Sequence, residues 1–395
     1  MLTLAACTAV APPADVDPRP APPPLPERPG DPRWRLLPEL AGCDVSLAAD
    51  STAVGRTLAW DPCPTGQVPG CRVLHDDHPS TLTHVDPYKL RAGWTDAGVM
   101  LAIHDPEANP KRPRLTLAPL DGPPLLVFDL SDESCQFHQA LFADAAAMVA
   151  IFDDRTREQP LVRVLVGPLG PDPAWHSPIA ATDVVAPLSF SGTTPLAGVR
   201  RPDARTGTFM PAADPSPSAC CGYAVGVSTV LIADGQLRVV DPGGAPRPLR
   251  TAGRVAGLVH AGSAFYWAEG VDPIGEGFKS IELWTAPATA DPAAFAARRI
   301  AELPLNFLPH QVRNEFGPLI VGGGHIAFYH LEPDLPGPRV SIVDIATGAR
   351  RRFVSSEGLI AMGALFVDAD EVGIDVIAEQ RRTIVRIPLT SLPLL

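Results

Sequence analysis

The chain has 395 residues, 46% of them hydrophobic and 19% charged, enough apolar surface for one large core or for two or three ordinary domains. A net charge of −12 and a pI near 5.3 set it against polyanions and exclude nucleic acid as a partner. The 47 prolines and 33 glycines exclude long helices and suit short strands joined by turns, and no apolar run is long enough to span a bilayer.

The chain opens on Leu4-Ala5-Ala6-Cys7, a leucine and two small residues before a cysteine. This tetrapeptide resembles the lipobox of bacterial lipoproteins. The resemblance implies that residues 1–7 are the remnant of a signal, and that Cys7 accepts lipid and becomes the mature N-terminus. Only six residues precede Cys7 and none is Lys or Arg, so the expected basic, apolar leader belongs to codons further upstream. Thr8 is not the aspartate that retains such lipoproteins in the inner membrane, and the resemblance implies an exported protein of the cell envelope or outer membrane, lipid-anchored and periplasmic or surface-exposed. Residues 8–38 are rich in Pro and Ala and too poor in apolar surface to fold. They read as a disordered, semi-rigid tether of polyproline type.

Seven cysteines are an odd number for an exported protein. With Cys7 lipidated, Cys43, Cys63, Cys71, Cys135, Cys220 and Cys221 remain as disulfide candidates, enough for three bridges. Cys63 and Cys71 bracket the turn-rich PTGQVPG and read as a hairpin staple. The adjacent Cys220 and Cys221 could bridge each other, but separate partners such as Cys43 and Cys135 suit them better. No CxxC occurs, which weakens a zinc reading.

From residue 39 to 395 one pattern recurs: a period-two apolar run, a turn with Pro or Asp and Gly, and a second apolar run. These features predict hairpins at 56–74, 114–128, 161–175, 236–249, 280–295, 339–353 and 383–395. Most are preceded by another apolar strand, at 96–105, 145–154, 222–234, 260–269, 322–330 and 368–379. With one more strand, each unit becomes a four-stranded antiparallel blade, and blades in a ring make a β-propeller. The third strands centre near Leu58, Leu117, Leu165, Val239, Leu283, Val343 and Val385, giving about seven blades, with six or eight left open. The long interval from Leu165 to Val239 reads as a proline-rich excursion, RRPDARTGTFMPAADPSPSACC, in preference to an eighth, degenerate blade, and CDVSLAAD at 43–50 as the strand that closes the ring. Asp344, Thr347 and Gly348, with a looser copy at Asp241 and Gly243 or Gly244, resemble the Asp-x-x-Thr-Gly turns of TolB-like and quinoprotein-like bacterial propellers. That resemblance implies an architecture and no activity.

The sequence contains no HExxH, no GxSxG and no GxxxxGK[ST]. The glycine-rich VGGGH at 321–325 reads as a turn before an inner strand. The densest polar cluster, LHDDHPSTLTH, supplies the metal candidates His75, Asp77 and His78, against the plainer reading of a solvated loop. His104, Asp105, Asp153, Asp154, Glu269 and His330 lie at or near the ends of comparable strands and are the candidates for the channel mouth. No cofactor is identified. The reading favoured is a monomeric, non-catalytic propeller that binds a protein, peptide or glycan and meets the membrane only through its lipid. The alternative is a propeller hydrolase or lyase with Asp, Glu and His at the channel mouth.

Overall fold

The computed structural model describes residues 34–37, 43–48, 59–63, 68–75, 90–95, 98–105, 114–122, 125–130, 135–143, 146–153, 161–169, 175, 184–191, 194–199, 222–226, 228–233, 235–241, 244–250, 253–274, 277–304, 319–330, 337–356, 359–378 and 381–395. In chain order the first strands are β1 (Trp34–Leu36), β2 (Val45–Ala48), β3 (Ala59–Pro62) and β4 (Arg72–His75). A meander follows: β5 (Leu90–Thr95), β6 (Gly98–Asp105), β7 (Arg114–Pro119) and β8 (Leu126–Leu130). The second sheet holds β9 (Cys135–Ala143), β10 (Ala146–Asp153) and β11 (Leu161–Pro168), and the third β12 (Val184–Ser191) and β13 (Thr194–Val199).

Three four-stranded meanders come next. The first is β14 (Gly222–Val225), β15 (Ser228–Ala233), β16 (Gln236–Val240) and β17 (Arg247–Arg250). The second is β18 (Arg254–Ala261), β19 (Ala264–Ile274), β20 (Gly277–Pro287) and β21 (Arg298–Leu303). The third is β22 (Ile320–Gly322), β23 (His325–His330), β24 (Arg339–Asp344) and β25 (Arg350–Val354). The chain finishes with β26 (Leu359–Val367), β27 (Glu371–Ala378) and β28 (Arg381–Pro388).

The described residues therefore form seven antiparallel sheets of two to six strands, and the chain is a β-propeller. The ring is visible in its own contacts. The first strand of each sheet lies against the first strand of the next: β5 on β9, β9 on β12, β12 on β14, β18 on β22, β22 on β26, and β26 back on β5. The link from the fourth sheet to the fifth runs through β15 and β16 to β18. These first strands are the inner wall, and each sheet meanders outward from it.

Closure follows from burying both faces of every sheet. Leu115, Leu117, Phe128, Val149, Ile151 and Leu165 form one apolar layer between the first and second sheets. Further layers lie between the fourth and fifth sheets around Val239 and Trp267, the fifth and sixth around Leu283 and Phe328, and the sixth and seventh around Ile342 and Ile374. The seventh meets the first through Phe366 and Ile384 against Val99 and Leu101. β24 shows the logic in one strand: Val340 and Ile342 face the seventh sheet while Val343 faces the fifth, so the strand reads as nearly continuous apolar sequence.

Six of the seven predicted third-strand centres fall on third strands, in β7, β11, β16, β20, β24 and β28, while Leu58 lies outside the described residues. Three expectations are corrected. CDVSLAAD does not close the ring; β2 pairs with β8, making the first sheet β1-β2-β8-β7-β6-β5. Its Val45 and Leu47 are buried between the first two sheets, and the Cys43–Cys135 disulfide ties it to β9, so it lies at the outer edge. The hairpin at 56–74 is not a blade of its own; β4 pairs with β28, and β3–β4 completes the seventh sheet. The interval between Leu165 and Val239 is more than an excursion, because β12 and β13 pair within it. In addition, β1 falls inside the stretch expected to be tether and pairs with β2; residues 1–33, with Cys7, lie outside the described residues.

Candidate functional site

The inner strands set what the channel can offer. Their sequences are LRAGWT, CQFHQALFA, VVAPLSFS, GYAV, RVAGLVHA, IVG and LIAMGALFV. None of these positions is Asp or Glu; the ionisable residues are Arg91, Cys135, His138, Tyr223, Arg254 and His260, and Cys135 is held in a disulfide. The rest is mostly apolar, with Thr95, Gln136, Gln139, Ser189 and Ser191 as uncharged polar positions. His260 is half-buried beside Tyr223 and Phe265, and burial holds its imidazole below its ordinary pKa.

The predicted mouth residues sit one strand further out. His104 and Asp105 end β6, Asp153 ends β10, Glu269 lies within β19 and His330 ends β23, each the second strand of its sheet; Asp154 lies outside the described residues. Two of them have described side chains, and the structure puts both in the layers between sheets rather than at the wall. Glu269 is 4% exposed. Its Oε1 accepts from Arg250 Nε at 3.0 Å and from Trp267 Nε1 at 2.7 Å. Arg250 belongs to β17 and also lies 4.0 Å over the Trp284 ring, so this carboxylate ties the fourth sheet to the fifth.

His330 is 2% exposed. The Ser341 hydroxyl accepts from Arg350 Nε at 3.0 Å and lies 2.8 Å from His330 Nε2. A hydroxyl so placed donates to Nε2, which assigns the neutral Nδ1–H tautomer. Burial, then the neighbouring Arg350, Arg339 and Arg352, pushes the imidazole down to about 3. A group this buried and this hard to protonate suits packing and hydrogen bonding, not proton transfer near neutral pH.

Of the metal candidates, His75 ends β4, and Asp77 and His78 lie outside the described residues. Among the described residues no group of three or more His, Cys, Asp or Glu is arranged to hold a metal ion. VGGGH is a turn as expected, but it precedes the second strand: β22 ends at Gly322 and β23 starts at His325. The Asp-x-x-Thr-Gly turn joins β24 to β25 as its resemblance implies. Asp344 Oδ1 accepts from the Thr347 N–H at 2.7 Å, the Thr347 hydroxyl at 2.8 Å and the Ala346 N–H at 3.0 Å, and Gly348 adopts φ +74°. The Thr347 N–H, then its hydroxyl, hold this carboxyl below the usual carboxylate range.

Two disulfides are formed among the described residues. Cys63–Cys71 is the expected hairpin staple, across the turn end of β3–β4. Cys43 pairs with Cys135, not with Cys220 or Cys221, which lie outside the described residues. The Cys43–Cys135 pairing suits the fold because β2, in the first sheet, and the start of β9, in the second, face the same apolar layer.

Sequence reasoning missed the group that joins the ring's ends. Arg386 of β28 is paired with Glu371 of β27 and with Asp121 in the turn between β7 and β8, and its guanidinium lies 4.9 Å from the Trp60 ring. Trp60 of β3 donates its indole N–H to the Leu120 carbonyl at 3.0 Å. Asp121 and Arg386 are 265 residues apart, a distance no local pattern reveals.

No family model matches the chain, and neither does any curated protein. Solved structures share its general form. An acylaminoacyl peptidase from Pyrococcus horikoshii is 13% identical, with a TM-score of 0.33, over 74% of this chain and 44% of its own. A puromycin-hydrolysing peptidase from Mycobacterium tuberculosis is 14% identical, with a TM-score of 0.34, over 85% of this chain and 55% of its own. The β-propeller domain of the Trilobed protease from Pyrococcus furiosus is 10% identical, with a TM-score of 0.35, over 76% of this chain and 97% of its own. The chain thus spans about half the length of the two peptidases it matches. At these scores the likenesses say nothing of activity, and the propeller assignment rests on the chain's own ring of contacts. Disulfides point to an oxidising compartment, and among the described residues no helix is long and apolar enough to cross a membrane.

Proposed function

We propose that this protein is a seven-bladed, non-catalytic propeller tethered in the cell envelope through lipid on Cys7, and that it binds a protein, peptide or glycan. The observation that carries this reading is the inner wall. Acid–base hydrolysis needs two carboxylates converging on one substrate, and the seven inner strands supply none. The described carboxylate nearest to expectation, Glu269, is committed to Arg250 and Trp267. Two disulfides support export.

The test presents full-length protein to a glycan array and an immobilised peptide library, and in parallel to fluorogenic glycosides and peptidyl substrates. The expected result is saturable binding to one class with no turnover above blank. Turnover lost on substituting an acidic residue of the channel mouth overturns the reading in favour of a hydrolase.

A further inference from the structure

The seventh sheet is assembled from both ends of the folded chain, and its seam is thin. β27 and β28 share eight residue pairs, whereas β28 and β4 share two, Val385 with Val73 and Arg386 with Arg72. Among the described residues β3 pairs with β4 alone, and Trp60 of β3 adds its indole bond to the Leu120 carbonyl and its contact with Arg386. Side chains add to that hold: Arg72 pairs with Glu371 at 3.2 Å, Thr383 donates to the Leu74 carbonyl at 3.1 Å, and Ser391 donates to the Pro69 carbonyl at 2.6 Å. All three reach β4 or the turn before it, so β4 is the strand that docks the hairpin on β28.

The Cys63–Cys71 bridge adds a covalent tie to the four ladder pairs of β3 and β4. It closes the end of the hairpin where the Cys63 N–H meets the Cys71 carbonyl, with a sequence separation of 8, and places Cys71 in the apolar layer with Ile387 and Leu389. The two sulfurs differ in access: Cys63 is half-buried and Cys71 is 5% exposed. Cys43 and Cys135 are both buried, at 1% and 0%.

We propose that Cys63–Cys71 is a redox-sensitive lock on the ring seam, which a dithiol reductant opens while the Cys43–Cys135 bridge and the other sheets stay intact. A reductant thiolate attacks Cys63 Sγ, the S–S bond breaks, and Cys71 leaves as a thiolate that takes up a proton. The second thiol of the reductant resolves the mixed disulfide, leaving its own disulfide and a Cys63 thiol. Two electrons pass to the protein. Without its staple the hairpin leaves β28, and the backbone of Val385 and Arg386 becomes an open sheet edge.

The test treats folded wild-type protein with graded dithiothreitol, maps freed thiols by alkylation, and follows amide exchange by mass spectrometry. The expected result is alkylation of Cys63 and Cys71 before Cys43 and Cys135. With it, exchange rises about tenfold or more in residues 59–75 and around Val385, and stays unchanged in the fifth and sixth sheets. The Cys63→Ser/Cys71→Ser variant, if it folds, shows the same exchange without reductant. Freed Cys63 and Cys71 with unchanged exchange overturn the proposal, as does release of Cys43–Cys135 first, or resistance of both bridges until the whole ring unfolds.

Discussion

His330 shows how a residue type that suggests chemistry can be placed for structure instead. Its ring is sealed between the fifth and sixth sheets, accepts from Ser341, and sits among three arginines that oppose a further positive charge. The folded pKa of about 3 lies below the ordinary 6.5, so the folded state binds fewer protons than the unfolded chain between those values. Stability is full above pH 6.5 and falls as pH drops towards 3, by up to about 1.4 kcal/mol per pH unit from this group. His330→Gln, which keeps a nitrogen and an oxygen near Ser341, removes that part of the slope. Urea unfolding of both proteins from pH 7 to pH 4 checks it: the stability gap narrows as pH falls. At this scale the sequence could show that His330 and Glu269 end or interrupt apolar strands. It could not show that their partners, Arg350 and Arg250, reach them from other strands.

Most of the elements were legible. Alternating apolar runs with Gly, Pro and Asp punctuation marked six third strands, because a strand buried on both faces tolerates polar residues only at its ends and turns. The third sheet went unmarked because VVAPLSFS and TPLAGV each carry a proline and break the period-two alternation. The turns also carry information beyond their type. Gly323 has φ +54°, and a Cβ there would lie 2.0 Å from the Asp368 carbonyl carbon, in the turn between β26 and β27 of the next sheet. Gly324, with φ +81°, has open space around it. Gly323→Ala is expected to cost more than about 2 kcal/mol, and Gly324→Ala about 1 kcal/mol from backbone strain alone. Chemical denaturation of the two variants separates close approach from conformational preference.

At the scale of the whole molecule, the seam was the part sequence could not reveal, because strands 299 to 322 residues apart share no local pattern. Arg386 concentrates the tie: its side chain is 6% exposed and joins Glu371 of the last sheet to Asp121 of the first. Arg386→Ala leaves the exposed Asp121 without its cation, Glu371 with Arg72 alone and the Trp60 face uncovered, and is expected to cost about 2 kcal/mol. Arg386→Lys, lacking the planar fork, recovers less than half. Thermal unfolding of the three proteins tests this, and equal stability of the alanine variant and wild type refutes the role. Separation along the chain also orders events in time. During vectorial emergence from a ribosome or a translocation pore, the first six sheets can each fold soon after their residues appear, whereas β4 waits some 310 residues for β28. A hairpin stapled early by its own short bridge can endure that delay without fraying, ready to receive the last strand when it arrives.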